Sequence, residues 1–314
     1  MIRSKIQFWC LLWLCSIPGS SFGSKAINLQ EAIAIGGIKQ WISVQGTDEK
    51  NPVLLFLHGG PGNSVMGYAD KFTHELQKHF VVVEWDQRES GKTAKLNASD
   101  KALTVSLMES DAIEMINYLR SRFSQHKIYL IGHSWGGFLV LSVATSHPEL
   151  LEAALAVSPM VNQLESERIS LEWMMGKAKS AGNAEALKEL SGIHIPFQNG
   201  EELYYHRKWL ARGMGTGTVT KTFVETWARK WLPLYNEASR VNFSLKAPEI
   251  KCPVYFFVGR RDYQTAFAVT EGYFHILKAE KKDLFWFTNS AHNLNLTEPE
   301  RMQEIIISLL RSKN

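Results

Sequence analysis

The stretch KIYLIGHSWGG, residues 127–137, decides the fold. Residues 127–131 form an apolar run of strand length, and the residues after the run read as a tight turn followed by a helix. Within the turn, Gly132, Ser134 and Gly136 match the pattern G-x-S-x-G. In a strand–turn–helix setting, the two glycines permit a sharp bend that leaves the serine hydroxyl exposed. The stretch therefore predicts a reactive serine where a buried strand ends and a helix begins.

Apolar runs of similar length recur along the chain and alternate with helical patterns, such as Met108, Ala112 and Met115 on one helix face. Nearly continuous apolar runs are typical of strands buried on both faces of a parallel sheet. Their alternation with helices indicates right-handed strand–helix–strand units. The sequence therefore predicts an α/β protein with a mostly parallel central sheet flanked by helices. The runs are 34–44, 53–57, 80–85, 127–131, 153–157, 254–258 and 284–287.

Between about residues 158 and 248 this rhythm changes, because the segment contains helical, aromatic-rich patterns and no convincing buried strand. The strand pattern resumes at 254–258. We therefore expect a core built from residues 24–158 and 249–314, interrupted by a helical lid at 159–248.

Local patterns also predict where two of the core helices begin. Ser106 with Glu109, and Thr297 with Glu300, fit the spacing of a capping box. After the second box, apolar residues recur at helical spacing to the end of the chain, so the last helix is expected to pack on the sheet. These residues are Met302, Ile305, Ile306, Leu309 and Leu310.

A second glycine-rich motif, His58-Gly59-Gly60-Pro61-Gly62, follows the run at 53–57 directly. Glycines at this point let backbone N–H groups approach a developing oxyanion. We expect Gly59 or Gly60, together with the N–H of Trp135, to form an oxyanion hole. His58 lies beside that hole and is interpreted as ordering the loop.

A serine nucleophile needs a general base, and the base needs an orienting acid. In α/β-hydrolases the chain order is serine, acid, histidine. Asp262 follows the run at 254–258 and is the predicted acid, whereas Asp283 opens the next strand. His292 follows the last strand and is the predicted base, whereas His275 reads as part of a helix face. The predicted catalytic set is Ser134, Asp262 and His292.

Three motifs together resemble those of the proline iminopeptidase family of α/β-hydrolase serine peptidases. They are HGGPG at 58–62, WDQR at 85–88 and GHSWGG at 132–137. The resemblance covers about residues 30–158 and 250–314. It implies an α/β-hydrolase fold with a helical lid, and release of an N-terminal proline or another small residue from peptides.

The chain departs from that family's pattern at Glu89, where a glycine usually follows WDQR. The resemblance also implies that lid carboxylates hold the free amine of the substrate. Glu172 and Glu225, with Trp227, are the predicted substrate-binding residues. Glu201, Glu202 and Glu237 are further candidates, and the other lid aromatics are expected mainly to dock the lid on the core.

Charge and cysteine or histidine patterns limit the partners and cofactors expected for the protein. The formal net charge of +4 over 314 residues argues against nucleic acid or an anionic membrane surface as the main partner. Metal-binding patterns such as CxxC or HExxH do not occur in the sequence, so neither metal nor organic cofactor is expected. The partner expected is a small peptide or another small acyl substrate, and the oligomeric state is left open. Cys252 is expected to be a buried, inert thiol.

The N-terminus has the layout of a signal peptide at residues 1–23. Arg3 and Lys5 precede an apolar run at 6–17, which is too short for a stable membrane span, and small residues follow it. We therefore expect a secreted or periplasmic protein without a membrane span after the signal is removed.

Two other functions remain open from sequence alone. An esterase or amidase acting on small extracellular substrates would use the same residues in a pocket without a carboxylate. A non-catalytic ligand-binding protein on the same fold is disfavoured by the intact set of Ser134, Asp262 and His292. An epoxide hydrolase or dehalogenase is disfavoured because those enzymes have aspartate at the position of Ser134.

Overall fold

The computed structural model describes residues 25–97 and 101–311. The predicted signal peptide at 1–23 lies outside the described residues. Within the described ranges, no helix combines the length and the apolar character needed to cross a membrane.

Eight strands of the described chain form one central sheet, and two short strands form a separate ribbon. The sheet strands are β1 (Ile27–Ile35), β2 (Ile38–Gly46), β3 (Val53–Leu57), β4 (Val81–Asp86), β5 (Ile128–His133), β6 (Leu151–Val157), β8 (Val254–Gly259) and β10 (Lys282–Phe287). The ribbon pairs β7 (Glu249–Ile250) with β9 (Lys278–Ala279).

The described helices surround this sheet. They are α1 (Asp70–Thr73), α2 (Thr93–Leu96), α3 (Val105–Arg122), α4 (Trp135–Ser146), α5 (Gln163–Ser180), α6 (Ala184–Leu190), α7 (Gly200–Met214), α8 (Lys221–Ser239), α9 (Phe243–Lys246), α10 (Phe267–Ile276), α11 (Leu294–Thr297) and α12 (Pro299–Arg311). Short 3₁₀ turns occupy Leu76–Lys78 and Pro148–Leu150.

The strand order in the sheet is β1-β2-β4-β3-β5-β6-β8-β10. The pairs β1–β2 and β2–β4 are antiparallel, and every later neighbour is parallel. The mostly parallel sheet predicted from the apolar runs is therefore confirmed. The run predicted at 34–44 is a hairpin of two nine-residue strands, turned by Gly36 and Gly37 at φ of 59° and 78°.

The central strands are buried on both faces, which explains their continuous apolar sequences. In β3, Val53, Leu55 and Leu57 belong to one hydrophobic cluster, while Leu54 and Phe56 belong to the cluster on the opposite face. The period of two in a strand sends successive side chains to opposite faces, so both must be apolar.

Helices α5 to α9 lie between β6 and the ribbon strand β7, in the segment predicted to be a lid, and this segment is called the lid. The longest, α8, buries Val224, Ala228, Trp231 and Tyr235, which recur at helical spacing and join the main hydrophobic cluster. The lid is therefore docked on the core by an apolar stripe of α8.

Both predicted capping boxes are wrong, because the two helices begin at other residues. The N-cap of α3 is Thr104, whose side chain accepts a hydrogen bond from the Leu107 N–H at 3.2 Å, so Ser106 lies inside the helix. Thr297 ends the short helix α11, and α12 starts at Pro299, a residue favoured in the first helical turn. In α12, Met302 and Ile306 are buried against the sheet as predicted.

Candidate active site

Ser134 occupies a strained bend between β5 and α4. Its φ of 58° and ψ of −114° lie in a region that non-glycine residues rarely adopt. A Cβ at Gly132 would lie 2.3 Å from the Gly136 carbonyl oxygen, and one at Gly136 would lie 2.0 Å from that of Leu57. The bend therefore requires both glycines of the G-x-S-x-G pattern.

Asp262 and His292 meet at the carboxyl ends of β8 and β10. His292 Nδ1 lies 3.0 Å from Asp262 Oδ2, and both side chains are buried. The N–H groups of Gln264 and Thr265 donate to Asp262 Oδ1 at 2.8 and 3.1 Å. The carboxylate is thus fixed by its own loop, and it orients the imidazole through the Nδ1 proton.

The charge state of Asp262 follows from these contacts. Burial alone would raise its pKa, but the neighbouring His292 and the hydrogen bonds from Thr265 outweigh burial, and the pKa lies below its ordinary value. Asp262 therefore remains a carboxylate at neutral pH, as an orienting acid must.

His133 packs against His292. The two ring centroids are 4.8 Å apart, and His133 Nε2 lies 2.9 Å from the His292 carbonyl oxygen. Burial, with the nearby His292, lowers the pKa of His133 to about 3. His133 is therefore a neutral imidazole that donates to this carbonyl, and it adds no charge to the site.

The glycine-rich loop at 58–62 lies directly against the serine. A Cβ at Gly59 would lie 3.3 Å from the Ser134 Cβ, and Gly60 has a φ of 114°. The Trp135 N–H belongs to the first turn of α4, whose amides lack partners within the helix. Gly59, Gly60 and Trp135 therefore lie next to Ser134, and their role as an oxyanion hole stays a prediction.

The side chains of the WDQR motif join separate segments of the chain through hydrogen bonds. Gln87 Nε2 donates to the His58 carbonyl oxygen at 3.1 Å, and the Trp135 indole donates to Gln87 Oε1 at 3.0 Å. Arg88 forms a fully buried ion pair with Asp111, at 2.9 Å from Nε to Oδ2. The motif therefore ties the glycine-rich loop to the serine turn and anchors both to α3.

Glu89 has a φ of 61°, which explains why glycine is the usual residue after WDQR. Its carboxylate accepts a hydrogen bond from Lys230 Nζ of α8 at 2.6 Å. Glu89 therefore adds an ion pair between this loop and the lid, a contact that glycine cannot make.

Two cavities meet at Ser134. A lid-side cavity of about 180 Å³ is enclosed mainly by apolar lid side chains, among them Met160, Leu203 and Trp227. An outer, more polar cavity of about 230 Å³ contains His292 and Asn293 in its wall. Gly60, Asn63, Ser134 and Gln264 line both cavities.

Of the three predicted substrate-binding residues, the structure brings only Trp227 to this site. Its indole N–H donates to the Pro61 carbonyl oxygen at 2.8 Å. Glu172 lies on an exposed face of α5. Glu225 lies on the outer side of α8, 3.8 Å from Lys221. Neither glutamate lines a cavity beside Ser134, since Glu172 is exposed and Glu225 packs against the start of α7.

The lid instead contributes a buried cluster that the sequence did not reveal. Glu167 is paired with Arg207 at 2.6 and 2.8 Å and accepts hydrogen bonds from the Tyr235 hydroxyl and from Gln163 Nε2. Burial opposes ionisation of Glu167, but Arg207 and His206 lower its pKa to about 2. Gln163, Arg207 and Tyr235 line the lid-side cavity.

The structure also bears on the expectations about metal ligands and about Cys252. In the described part of the chain, His, Cys, Asp and Glu side chains do not gather in the groups of three or more that a metal ion requires. Cys252 is buried as predicted, and burial raises the pKa of its thiol to about 12.

Comparisons with known proteins identify the family and the fold of this chain. The sequence profile of the alpha/beta hydrolase fold family matches residues 52–262. A probable aminopeptidase, YbaC of Bacillus subtilis, is 32% identical over 88% of this chain and 94% of its own length. A proline iminopeptidase of Heyndrickxia coagulans is 23% identical over 86% and 95%. The crystal structure of proline iminopeptidase from Mycobacterium smegmatis superposes with a TM-score of 0.62 at 15% identity, covering 90% of this chain and 98% of that one.

Proposed function

Because this chain belongs to the alpha/beta hydrolase fold family, we propose that it is a serine aminopeptidase that releases a small N-terminal residue, proline foremost, from peptides. Its relatives support the hydrolase and aminopeptidase part of this proposal, through the Bacillus subtilis protein above all. The serine mechanism and the preferred residue rest on the site itself.

The observation that carries the proposal is the arrangement of the two cavities on either side of Ser134. His292 lines the outer cavity and not the lid-side one. A general base that takes the serine proton later gives it to the leaving group. The leaving group therefore belongs in the outer cavity with His292, and the acyl residue belongs in the lid-side cavity.

The size and the chemistry of the two cavities fit an aminopeptidase. The lid-side cavity, at about 180 Å³, is smaller than the roughly 300–1,000 Å³ typical of pockets for drug-sized ligands, so it suits a single small residue. The outer cavity has a mostly polar wall, which suits the rest of a peptide chain.

The mechanism follows from these positions. His292, oriented by Asp262, takes the Ser134 proton as Ser134 Oγ attacks the carbonyl carbon. The oxyanion accepts hydrogen bonds from the amides of Trp135 and of Gly59 or Gly60. His292 then protonates the leaving amine, and water hydrolyses the acyl-enzyme by the same route.

A panel of p-nitroanilides tests this function. We expect hydrolysis of L-prolyl and L-alanyl p-nitroanilide by the wild type, with loss of activity on N-acetylation of either substrate and in Ser134→Ala. Hydrolysis of p-nitrophenyl esters without hydrolysis of any unblocked aminoacyl anilide would replace the aminopeptidase proposal with an esterase.

We also propose that the protein acts outside the cytoplasm, on the basis of the signal-peptide pattern at 1–23. Fusion of residues 1–30 to a reporter that is active only after export tests this proposal. We expect the fusion to be exported, and export to be lost in the double variant Leu11→Arg, Leu12→Arg. Retention of the unmodified fusion in the cytoplasm would contradict the proposal.

A further inference from the structure

The outer cavity, in which we place the leaving group, has several primary amides in its wall. They belong to Asn63, Gln264, Asn293 and Asn295. Asn295 is buried, whereas Asn63 and Asn293 are exposed and Gln264 is half-buried, so a substrate can reach these three. None of the three makes a side-chain hydrogen bond within the described part of the chain. Their donors and acceptors are therefore available to a bound molecule.

Asn293 stands at the N-cap of α11, but its side chain makes no capping hydrogen bond. Asparagine is favoured at this position because its side-chain oxygen accepts a hydrogen bond from a helix N–H. At four other N-caps of the described helices, asparagine does so: Asn162, Asn183, Asn199 and Asn242. The amide of Asn293 is thus left unpaired, next in the chain to His292, the expected proton donor to the leaving group.

Asn63 brings a second free amide to the outer cavity, from the end of the glycine-rich loop. A Cβ at Gly60 would lie 3.2 Å from Asn63 Cγ, so this side chain lies against a residue of the cavity wall. The backbone N–H of Asn63 donates to the Gly59 carbonyl oxygen at 3.1 Å. The cavity therefore has free amides from two separate segments, one after β3 and one after β10.

The charges around the outer cavity limit what these amides can bind. Its described wall contains no lysine, arginine, aspartate or glutamate. Behind His292, the carboxylate of Asp262 lies 3.0 Å from Nδ1 and stays ionised at neutral pH. A carboxylate in the cavity would meet no cation of the wall and would lie on the side of Asp262. A peptide group is neutral and has one donor and one acceptor, which primary amides can match.

We propose that Asn63 and Asn293 bind the first peptide group of the leaving chain, the one that follows the scissile bond. The preferred substrates are then peptides of three residues or more, because a dipeptide has a carboxylate in place of that peptide group. The inference rests on the proposed aminopeptidase function and adds a minimum substrate length to it. The side-chain amides carry this recognition, and the backbone of the short helix α11 has no part in it.

The first test compares L-prolyl-L-alaninamide with L-prolyl-L-alanine, which differ only in the carboxamide and the carboxylate. We expect the wild type to have a kcat/KM about 10-fold or more higher for the amide. Leu296 lines the same cavity and is partly exposed. Leu296→Lys, which adds a cation there, should raise kcat/KM for the free dipeptide by about fivefold. Leu296→Met is the matched uncharged control and should keep the preference of the wild type.

The second test compares L-prolyl-L-alaninamide with L-prolyl p-nitroanilide, whose leaving group has no peptide group. We expect Asn63→Leu and Asn293→Leu each to lower kcat/KM for the alaninamide substrate by about 5–10-fold. Each should change kcat/KM for the anilide by less than about twofold. Both substrates have the same acyl residue, so an effect on the lid-side cavity, on the oxyanion donors or on His292 would change both equally.

Hydrolysis of L-prolyl-L-alanine by the wild type as fast as its amide means that the inference is wrong, while the aminopeptidase function stands. The same conclusion follows if both asparagine variants change the two substrates of the second test equally or leave both unchanged. If the wild type hydrolyses none of the three substrates, the aminopeptidase function is wrong and the inference falls with it.

Discussion

The indole N–H of Trp135 donates a hydrogen bond to Gln87 Oε1 at 3.0 Å, across 48 residues of sequence. The amide nitrogen of the same glutamine donates to the His58 carbonyl oxygen at 3.1 Å. A single buried side chain therefore connects the two segments that we expect to bind the oxyanion. Its contacts give a physical reason for WDQR to accompany the glycine-rich loop and the serine turn.

Gln87→Leu is expected to lower kcat about 10-fold or more with little change in KM, because the oxyanion donors lose their alignment. It also leaves the indole N–H of Trp135 and the carbonyl oxygen of His58 unpaired, which costs about 1–3 kcal/mol of stability. Gln303→Leu is the control, since Gln303 is also buried but bonds Glu75 and Pro299, outside the WDQR motif and both cavities. Steady-state kinetics and urea unfolding of both variants check this, and an unchanged kcat in Gln87→Leu contradicts it.

Asp262→Asn is expected to reduce kcat by about 10⁴-fold, because an amide at this position does not hold His292 in the required tautomer. Asp283, the alternative acid considered from the sequence, is exposed on β10 and serves as the control. Asp283→Asn should leave kcat within about twofold of the wild type. Equal losses in the two variants, measured on the same substrate, would rule out Asp262 as the orienting acid.

The ion pair between Glu89 and Lys230 predicts a specific order of stabilities. Glu89→Ala loses the ion pair and keeps an unfavourable φ, whereas Glu89→Gly loses the ion pair but relieves the backbone. We expect the glycine variant to be more stable than the alanine variant by about 1 kcal/mol. A double-mutant cycle with Lys230→Ala should give a coupling of about 0.2–1 kcal/mol, because the pair is partly exposed. Chemical unfolding measures both quantities, and a more stable alanine variant contradicts the account.

Glu84 makes stability depend on pH. It is buried in β4, where burial, with the nearby Asp70 and Asp86, raises its pKa from 4.5 to about 7. The folded state then binds the proton more tightly than the unfolded chain, so the stability from this group is present below pH 4.5 and is lost as the pH rises to 7.

Glu84→Gln removes this dependence. Relative to the wild type it should gain up to about 3 kcal/mol of unfolding free energy between pH 4 and pH 8. Urea unfolding of the two proteins across this range measures the gain. A difference between them that does not change with pH means that Glu84 titrates normally.

The sequence predicted the parts of the molecule that local patterns define. The run at 53–57 is β3 without a change of bounds, because a strand buried on both faces must be continuously apolar. The pairing of Asp262 with His292 follows from chain order after late strands, and the two side chains do meet. Glu89 could not be understood in this way, because its φ and its contact with Lys230 depend on the folded chain.

The lid was predicted least well, because its polar contacts join residues far apart in sequence. Glu167 and Arg207 are separated by 40 residues and lie on different helices. In sequence, Glu167 looks the same as Glu172 five residues later, although the first is buried and the second is exposed. Helical spacing does not show which carboxylate has a charged partner on another helix. The sequence therefore did not mark Gln163, Arg207 and Tyr235 as contacts of Glu167.

The most direct measurement of the central claim, that Ser134 is a nucleophile activated by His292, is covalent labelling with a fluorophosphonate. Peptide mass spectrometry of the labelled wild type should locate one phosphonyl adduct on Ser134. Labelling should be absent in Ser134→Ala and strongly slowed in His292→Ala, and it should be unaffected in His275→Ala. An adduct on another residue, or an unlabelled Ser134 in a folded protein that still hydrolyses its substrate, would contradict the account.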